Sequence, residues 1–454
     1  MEILIEILPA LMFLALILGL FTGLPVPVVL GGVTVVFGAI AVGLSEMRLI
    51  QASLLPNRIF GGSIENPVLV AAPMFIFMGV LLEKSRIAED LLITLQKLLR
   101  VVPGGLALAV TLMGTILAAA TGIIGASVVM LTVLAIPTML KRGYSPELAT
   151  GTVASAGTLG ILIPPSVMLV FMGDILTINL AKLFVAALIP GLVLAGVYML
   201  YILVSSALRP ERAPAAPPLS EEEKAGLWRE AAVSFALPFT LVVAVLGSIL
   251  GGFATPTEAA GVGAFAALLL GALRRRLNLT VLGEAMDGSI RTLAMLFFIF
   301  VTATGFAYVF RIIGGEQFIV EAARSLDMGD WGILAMLMLM VFALGFFFDW
   351  VEITLIMLPI VAPIVQLMDL GDHVARADLI YWFAVLMAVN LQTSFLTPPF
   401  GFALFFLKGA AGNLVTITQI YRGIVPFVIL QLMVLALLVW QPWLVLWLPD
   451  QVLR

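Results

Sequence analysis

The chain has 454 residues, 62% of them hydrophobic and only 11% charged, with a formal net charge of −4, one histidine and no cysteine. At a mean hydropathy of +1.18, that composition excludes a soluble globular domain, and the lack of cysteine excludes disulfides and thiolate metal sites. The weak acidic charge carries no nucleic-acid footprint, and long charge-free runs in place of short alternating ones exclude a β-barrel, which leaves a polytopic helical membrane protein.

The N-terminal MEILIEILPALMFLAL lacks a basic n-region and a small-residue cleavage site, so it reads as a first span and not a removed signal. Residues 7–45 carry no charge and suffice for two helices, with Pro25 and Pro27 in GLPVPVV marking the turn. Further charge-free runs follow at 101–140, 148–173, 183–208, 231–257, 292–310, 379–407 and 424–448. The polar stretch RPERAPAAPPLSEEEKAGLWRE (209–230) separates a first half, 1–208, from a second, 231–454. It reads as an exposed cytoplasmic linker leading into a short surface helix. Five spans and one paired segment fit each half. With the N-terminus outside, sixteen of the 23 Lys and Arg fall in cytoplasmic loops, the orientation that the positive-inside rule favours. Five being odd, the halves then cross the membrane in opposite orientations.

In the middle of 148–173 stands GILIPPSVM (160–168), where Pro164 and Pro165 each remove a backbone donor and clash with the preceding turn. SFLTPPFGF (394–402), inside 379–407, repeats the break with Pro398 and Pro399, 234 residues further on. LTVLAIP (131–137) recurs as ITLIMLP (353–359), pairing Thr132 with Thr354, and FIFM (75–78) recurs as FIFV (298–301). GLPVPVVLGG (23–32) weakly resembles ATPTEAAGVG (254–263). This ordered set indicates an internal duplication, and odd spans per half make it an inverted repeat, an architecture of secondary transporters.

Between the paired elements, about 105–140 and 331–363 read as re-entrant hairpins, because limbs of roughly 15 residues fall short of the roughly 20 that cross a bilayer. Two complete, tilted helices per segment have the same charge parity and stand as the alternative. The first tip is TGIIGAS (121–127); the second, LGFFFDWVEI (344–353), carries Asp349 and Glu352. A carboxylate at the bilayer centre costs about 2.5–3.5 kcal/mol on insertion scales, so Asp349 is expected to face a polar cavity or a cation. Glu352 has the same option, or a place near the outer interface, or a bond to a neighbouring helix.

Facing tips and broken helices offer carbonyl oxygens to a cation and half-helix N-termini to an anionic substrate. The hydroxyls of Thr121, Ser127, Thr158, Ser166, Thr393, Ser394 and Thr397 and the amide of Gln392 add ligands, alongside the backbone of Gly122, Gly125, Gly160 and Gly401. Such hard oxygens suit an alkali cation and not zinc or copper. Proline, glycine and hydroxyls also occur in membrane helices for packing and local backbone satisfaction alone; the duplicated setting is what favours function. Without HExxH, cysteine or a second histidine, metallopeptidase and Cys/His mechanisms are excluded. His373, in LGDHVARAD, is expected in a solvated periplasmic loop, and Trp440, Trp443 and Trp447 in an interfacial belt.

The motifs APMFIFMGVLLEKSRIAEDLL (72–92), TGIIGASVVMLTVLAIPTMLKRGYSPELATGTVASAGTLGILIPPSVM (121–168), GGFATPTEAAGVGA (251–264), FFFDWVEITLIMLPI (346–360) and NLQTSFLTPPFGFALFFLKG (390–409) span nearly the whole chain. In that order they resemble the large membrane subunit (M subunit) of tripartite ATP-independent periplasmic, or TRAP, transporters. The resemblance implies a secondary transporter of the bacterial inner membrane, driven by a sodium gradient. It would take an organic acid from a periplasmic substrate-binding protein. It further implies a small four-helix membrane subunit as partner, an elevator-type movement of hairpins and broken helices against a scaffold, and no cofactor beyond the coupling Na⁺. Thr121-Gly122, Gly160–Ser166, Asp349 and Gln392–Gly401 fall in the family's ion and substrate regions, with sodium expected around Thr121, Gly122, Gly160, Ser166, Asp349 and Thr397, backbone carbonyls included. The tip departs from a serine-rich pattern at Ile123 and Ile124, which removes side-chain ligands there. A stand-alone sodium–carboxylate carrier of similar inverted-repeat fold is the alternative.

Overall fold

The computed structural model describes residues 2–121, 124–220, 225–325, 328–346, 348–398 and 401–453. Among them every regular element is helical and none is a strand. Eight helices are long and apolar enough to cross a membrane, and one bent pair, Leu55–Ile64 with Val68–Lys84, passes the same test across a 51° bend. The chain is a multi-pass membrane protein.

The first half begins with α1 (Glu2–Leu20) and α2 (Val26–Gly43), the latter started by proline at its first turn. Two short helices, α3 (Leu49–Ser53) and α4 (Leu55–Ile59), and a π-helical turn over Phe60–Ile64 lead into α5 (Ala71–Lys84). α6 (Ile87–Leu98) follows inside a charged stretch whose charges alone suggest a loop. Its Leu91, Leu92 and Leu95 are buried while Asp90 and Lys97 pair with Arg276 and Glu230, so it is an amphipathic surface helix. α7 (Gly105–Thr121) and α8 (Ile124–Lys141) form a pair, and α9 (Pro146–Thr158) and α10 (Val167–Ile175) are separated by an irregular stretch. α11 (Leu180–Leu208) closes the half.

The second half runs α12 (Leu227–Leu250), α13 (Pro256–Leu273), α14 (Leu279–Ile312) and the short α15 (Gly315–Ser325). The pair α16 (Gly329–Leu344) and α17 (Trp350–Leu367) comes next. α18 (Leu379–Ser394) and α19 (Phe402–Ala411) flank another irregular stretch, followed by α20 (Ile417–Trp440) and a terminal α21 (Trp443–Val452). Between the halves the structure has a 3₁₀ turn at Pro210–Arg212; the surface helix expected in 209–230 falls partly on 221–224, outside the described residues.

Helix starts follow local chemistry. Thr255 caps α13 with its hydroxyl accepting from Glu258 N at 3.3 Å while the Glu258 carboxylate accepts from Thr255 N at 2.7 Å, a reciprocal capping box. Thr416 and Gln419 build the same device at α20.

Contacts between the halves come in exchanged pairs. α10 packs on α17, and α19 packs on α8; α11 packs on α18, and α20 on α9. Likewise α2 packs on α14 and α13 on α5, while α6 packs on α12 and α15 on α1. Such reciprocity is what two similar units facing each other would give.

At α9 and α20 the backbones nearly touch: a Cβ on Gly151 would collide with the Gly423 carbonyl oxygen, and one on Gly423 with that of Glu147. Only glycine permits that approach. His373 differs from the solvated residue expected of it. Its Nε2 lies 2.8 Å from the Val439 carbonyl oxygen, and its ring packs 4.9 Å from Trp331 and 6.1 Å from Trp382. The loop folds back onto the end of α20 because an aromatic slot is available there. Trp440 and Trp443 are exposed, 70% and 58%.

Candidate functional site

The two helix breaks place buried polar atoms in an otherwise apolar interior. α9 gives way to a 3₁₀ turn at Leu159–Ile161, then to Leu162–Ser166, where the Pro164–Pro165 bond is cis. Neither proline can donate to the carbonyl four residues back, namely those of Gly160 and Ile161. The Ser166 hydroxyl donates to the Ile161 carbonyl instead, at 2.5 Å. The Gly160 carbonyl gains no such substitute from Pro164. In the other half, α18 ends at Ser394 and Thr397 turns back, its hydroxyl donating to the Thr393 carbonyl at 2.6 Å and its N–H to that of Ser394 at 3.4 Å. Gly401 then starts α19, with its N–H on the Thr397 carbonyl at 3.1 Å.

The breaks meet through side chains. Gln392 Nε2 donates to Thr158 Oγ1 at 3.3 Å, and Thr158 in turn donates to the Ser155 carbonyl at 2.9 Å. Both residues are fully buried. Among the described residues Gln392 Oε1 and Ser394 Oγ have no hydrogen-bond partner, although a buried polar atom is nearly always satisfied. Ser394 packs directly on Gly345, at the end of α16. Thr393 is occupied locally, donating to Asn390 O at 2.5 Å.

The hairpin segments contribute less evenly. Ser127 on α8 is buried and lines, with Gly157 and Gly160, a narrow void between α7, α8 and α9. A Cβ on Gly125 would come 3.1 Å from the Phe406 ring of α19, so the start of α8 abuts the second broken helix. Asp349 caps α17: its carboxylate accepts from Trp350 N at 2.8 Å, and its own N–H donates to Glu352 Oε2 at 3.2 Å. Glu352 lines an apolar crevice beside Phe13, Leu16 and Leu20 of α1, and its hydrogen bond goes to the Asp349 N–H at the start of its own helix rather than to a neighbouring one. Gly122 and Pro399, and the side chain of Thr121, all expected at the site, lie outside the described residues; Pro398 closes the described part of the second break.

Three buried polar features escaped the sequence reading. Asn390 donates from Nδ2 to the Met338 carbonyl at 2.7 Å and leaves Oδ1 without a partner. Gln431, an amide alone in the charge-free run 424–448, is fully buried and faces the buried Tyr198 hydroxyl. Thr132 and Thr354, which the sequence pairs, are both buried with unbonded hydroxyls on α8 and α17. Among the described residues no three His, Cys, Asp or Glu side chains cluster as metal ligands. The oxygens on offer are those of amides, hydroxyls and carbonyls, and these suit a hard monovalent cation.

An all-helical membrane bundle with paired internal breaks is the class this fold defines. A family model described as "Tripartite ATP-independent periplasmic transporter, DctM component" matches residues 13–444, and the chain belongs to that family. It is 31% identical over 387 residues to a C4-dicarboxylate TRAP transporter large permease protein of Pseudomonas aeruginosa, covering 85% of this chain and 87% of that one. It is also 31% identical to an isethionate TRAP transporter permease protein, DctMQ, of Oleidesulfovibrio alaskensis, with 92% of this chain but 65% of that protein covered. An ectoine/5-hydroxyectoine large permease of Ruegeria pomeroyi matches at 26% identity over 97% of this chain and 98% of its own length. The fold is similar to the crystal structure of the YdaH transporter of Alcanivorax borkumensis, at a TM-score of 0.61 and 14% identity, covering 96% and 98% of the two chains.

Proposed function

We propose that the chain is the large subunit of a sodium-coupled importer of an organic acid in the bacterial inner membrane. On this reading a periplasmic substrate-binding protein delivers the acid, and a small four-helix membrane subunit braces the scaffold. Residues 1–208 and 231–454 act as inverted repeats joined by 209–230. The hairpins (105–140, 331–363) and broken helices (148–173, 379–407) make up the part that moves as an elevator.

The observation that carries the reading is the pair of buried, unpartnered oxygens at the second break, Gln392 Oε1 and Ser394 Oγ, beside the Gln392–Thr158 bond. An unmet acceptor in a dry interior costs about 1–3 kcal/mol. A cation bound there would recover that energy, and sodium, as co-transported cargo, has the chemistry to do so. The C4-dicarboxylate and isethionate named in the relatives' descriptions support an organic-anion substrate. The isethionate relative extends well beyond its match to this chain, leaving room for a small membrane subunit.

Reconstitution in liposomes with the small subunit and the binding protein tests this. Uptake of the binding protein's ligand should require both an inward sodium gradient and the binding protein. Uptake that persists unchanged without either one sinks the coupling scheme.

A further inference from the structure

A cleft of about 550 Å³ opens between the connection carrying α4 and the Phe60–Ile64 turn, the C-terminal part of α14, the end of α10, and α17. Its walls hold two guanidiniums, Arg58 and Arg311, and one carboxylate, Asp174. Two of the three charges are engaged: Arg311 pairs with Glu316 at 2.7 Å, and Asp174 accepts from Asn66 Nδ2 at 2.6 Å. Arg58 makes no ion pair among the described residues. Its guanidinium carbon lies 6.0 Å from the centre of the Tyr308 ring, whose hydroxyl is anchored on the Gln51 carbonyl at 3.0 Å. An aromatic face steadies a guanidinium without consuming its N–H donors, and those donors match the two oxygens of a carboxylate.

We propose that this cleft is an anion-receiving site on the route of the transported organic acid, with Arg58 as its counter-charge. The proposal rests on the importer reading, in which the 48–66 connection and the far ends of α10 and α14 face the periplasm. An acid released there by a binding protein meets Arg58 before it reaches the helix breaks.

The absence of cysteine makes a direct test possible. Thr304→Cys places a single thiol in the cleft wall. With the small subunit present in liposomes, its modification by an anionic sulfonatoethyl and a cationic trimethylammonioethyl methanethiosulfonate is timed, each rate divided by that for a free thiol. The anionic reagent should be favoured several-fold. That preference should be lost in Arg58→Gln and survive in Arg58→Lys. A ratio that shows no anionic preference, or is unmoved by Arg58→Gln, overturns the site. With the binding protein added, Arg58→Gln in the cysteine-free protein should raise the KM for uptake several-fold and leave the maximal rate within about twofold. An unchanged KM overturns the route. If wild-type uptake itself needs neither sodium nor binding protein while the reagent ratio still depends on Arg58, the importer reading fails and the anion site stands.

Discussion

Gln392 and Thr158 hydrogen-bond at 3.3 Å and stand 234 residues apart in sequence, the same spacing that separates Pro164-Pro165 from Pro398-Pro399. Residues in equivalent positions of two units related by a two-fold touch each other only where they flank the axis. If the two halves are so related, the bond lies near that axis; it joins them next to both breaks. One member is an amide with a spare oxygen and the other a hydroxyl already committed to Ser155.

Gln392→Leu should accordingly lower sodium affinity by about tenfold or more, since a hydrogen bond or ligand to a charged group is worth about 1.5–3 kcal/mol. The check is the sodium dependence of uptake, together with the sodium-induced rise in thermal midpoint. A sodium response like the wild type's would move Gln392 to a packing role.

Replacing Pro164 and Pro165 by alanine should return a helical donor to the Gly160 carbonyl and put a second donor on that of Ile161, which already accepts from the Ser166 hydroxyl. Occupied carbonyls make poorer cation ligands, so sodium binding should weaken while the chain still assembles with its small subunit. Titration of sodium-dependent stabilisation in the purified complex reads this out; an affinity that does not move defeats the assignment of these carbonyls.

Asp349 combines two roles that a pair of variants separates. Asparagine caps a helix about as well as aspartate, whereas alanine loses about 1 kcal/mol. Asp349→Asn should keep the wild-type melting temperature yet lose at least about tenfold in sodium-driven uptake, while Asp349→Ala loses both. If the asparagine variant transports normally, the carboxylate serves α17 alone.

The close approach of α9 and α20 is tested by Gly151→Ala, whose methyl would meet the Gly423 carbonyl. Overpacking of this kind costs about 1–3 kcal/mol, measured as a lowered unfolding temperature in detergent. Gly261→Ala on α13, where a Cβ meets nothing within 4 Å, should instead gain about 0.5–1 kcal/mol from helix propensity. Equal shifts in the two variants would show that the contact between α9 and α20 carries no special constraint.

What the sequence revealed and what it hid divide along physical lines. Charge-free runs and double prolines are local signals, so the helical membrane class was legible from them. α6 was not, because its charges read as a loop until burial of Leu91, Leu92 and Leu95 gave the other face a partner. The Asp349 cap had a readable signature in the D-x-x-E spacing, overshadowed by the cost of a carboxylate in the membrane. Which oxygens lack partners was out of reach altogether. Asn390 and Gln392 lie two residues apart on α18, yet one amide finds the Met338 carbonyl and the other Thr158. Only the packing of α16 and α9 around them decides that.

The hydrogen bond between Asn66 Nδ2 and Asp174 Oδ1, 2.6 Å long across 108 residues of sequence, joins the connection before α5 to the last turn of α10. In the elevator reading that bond crosses from scaffold to moving part and must break in each cycle. Asn66→Cys with Asp174→Cys, in a chain with no other cysteine, gives a pair for a short thiol cross-linker or mercuric ion. Cross-linking should arrest uptake, excess dithiothreitol should restore it, and each single-cysteine variant should be insensitive to the reagent. Because the linked side chains already touch, closing the bridge should leave the folded state unchanged, so that arrest reports blocked movement and not damage. Full uptake at complete cross-linking would mean that α10 and the 60–70 connection travel together, and the boundary of the moving part would then have to lie elsewhere.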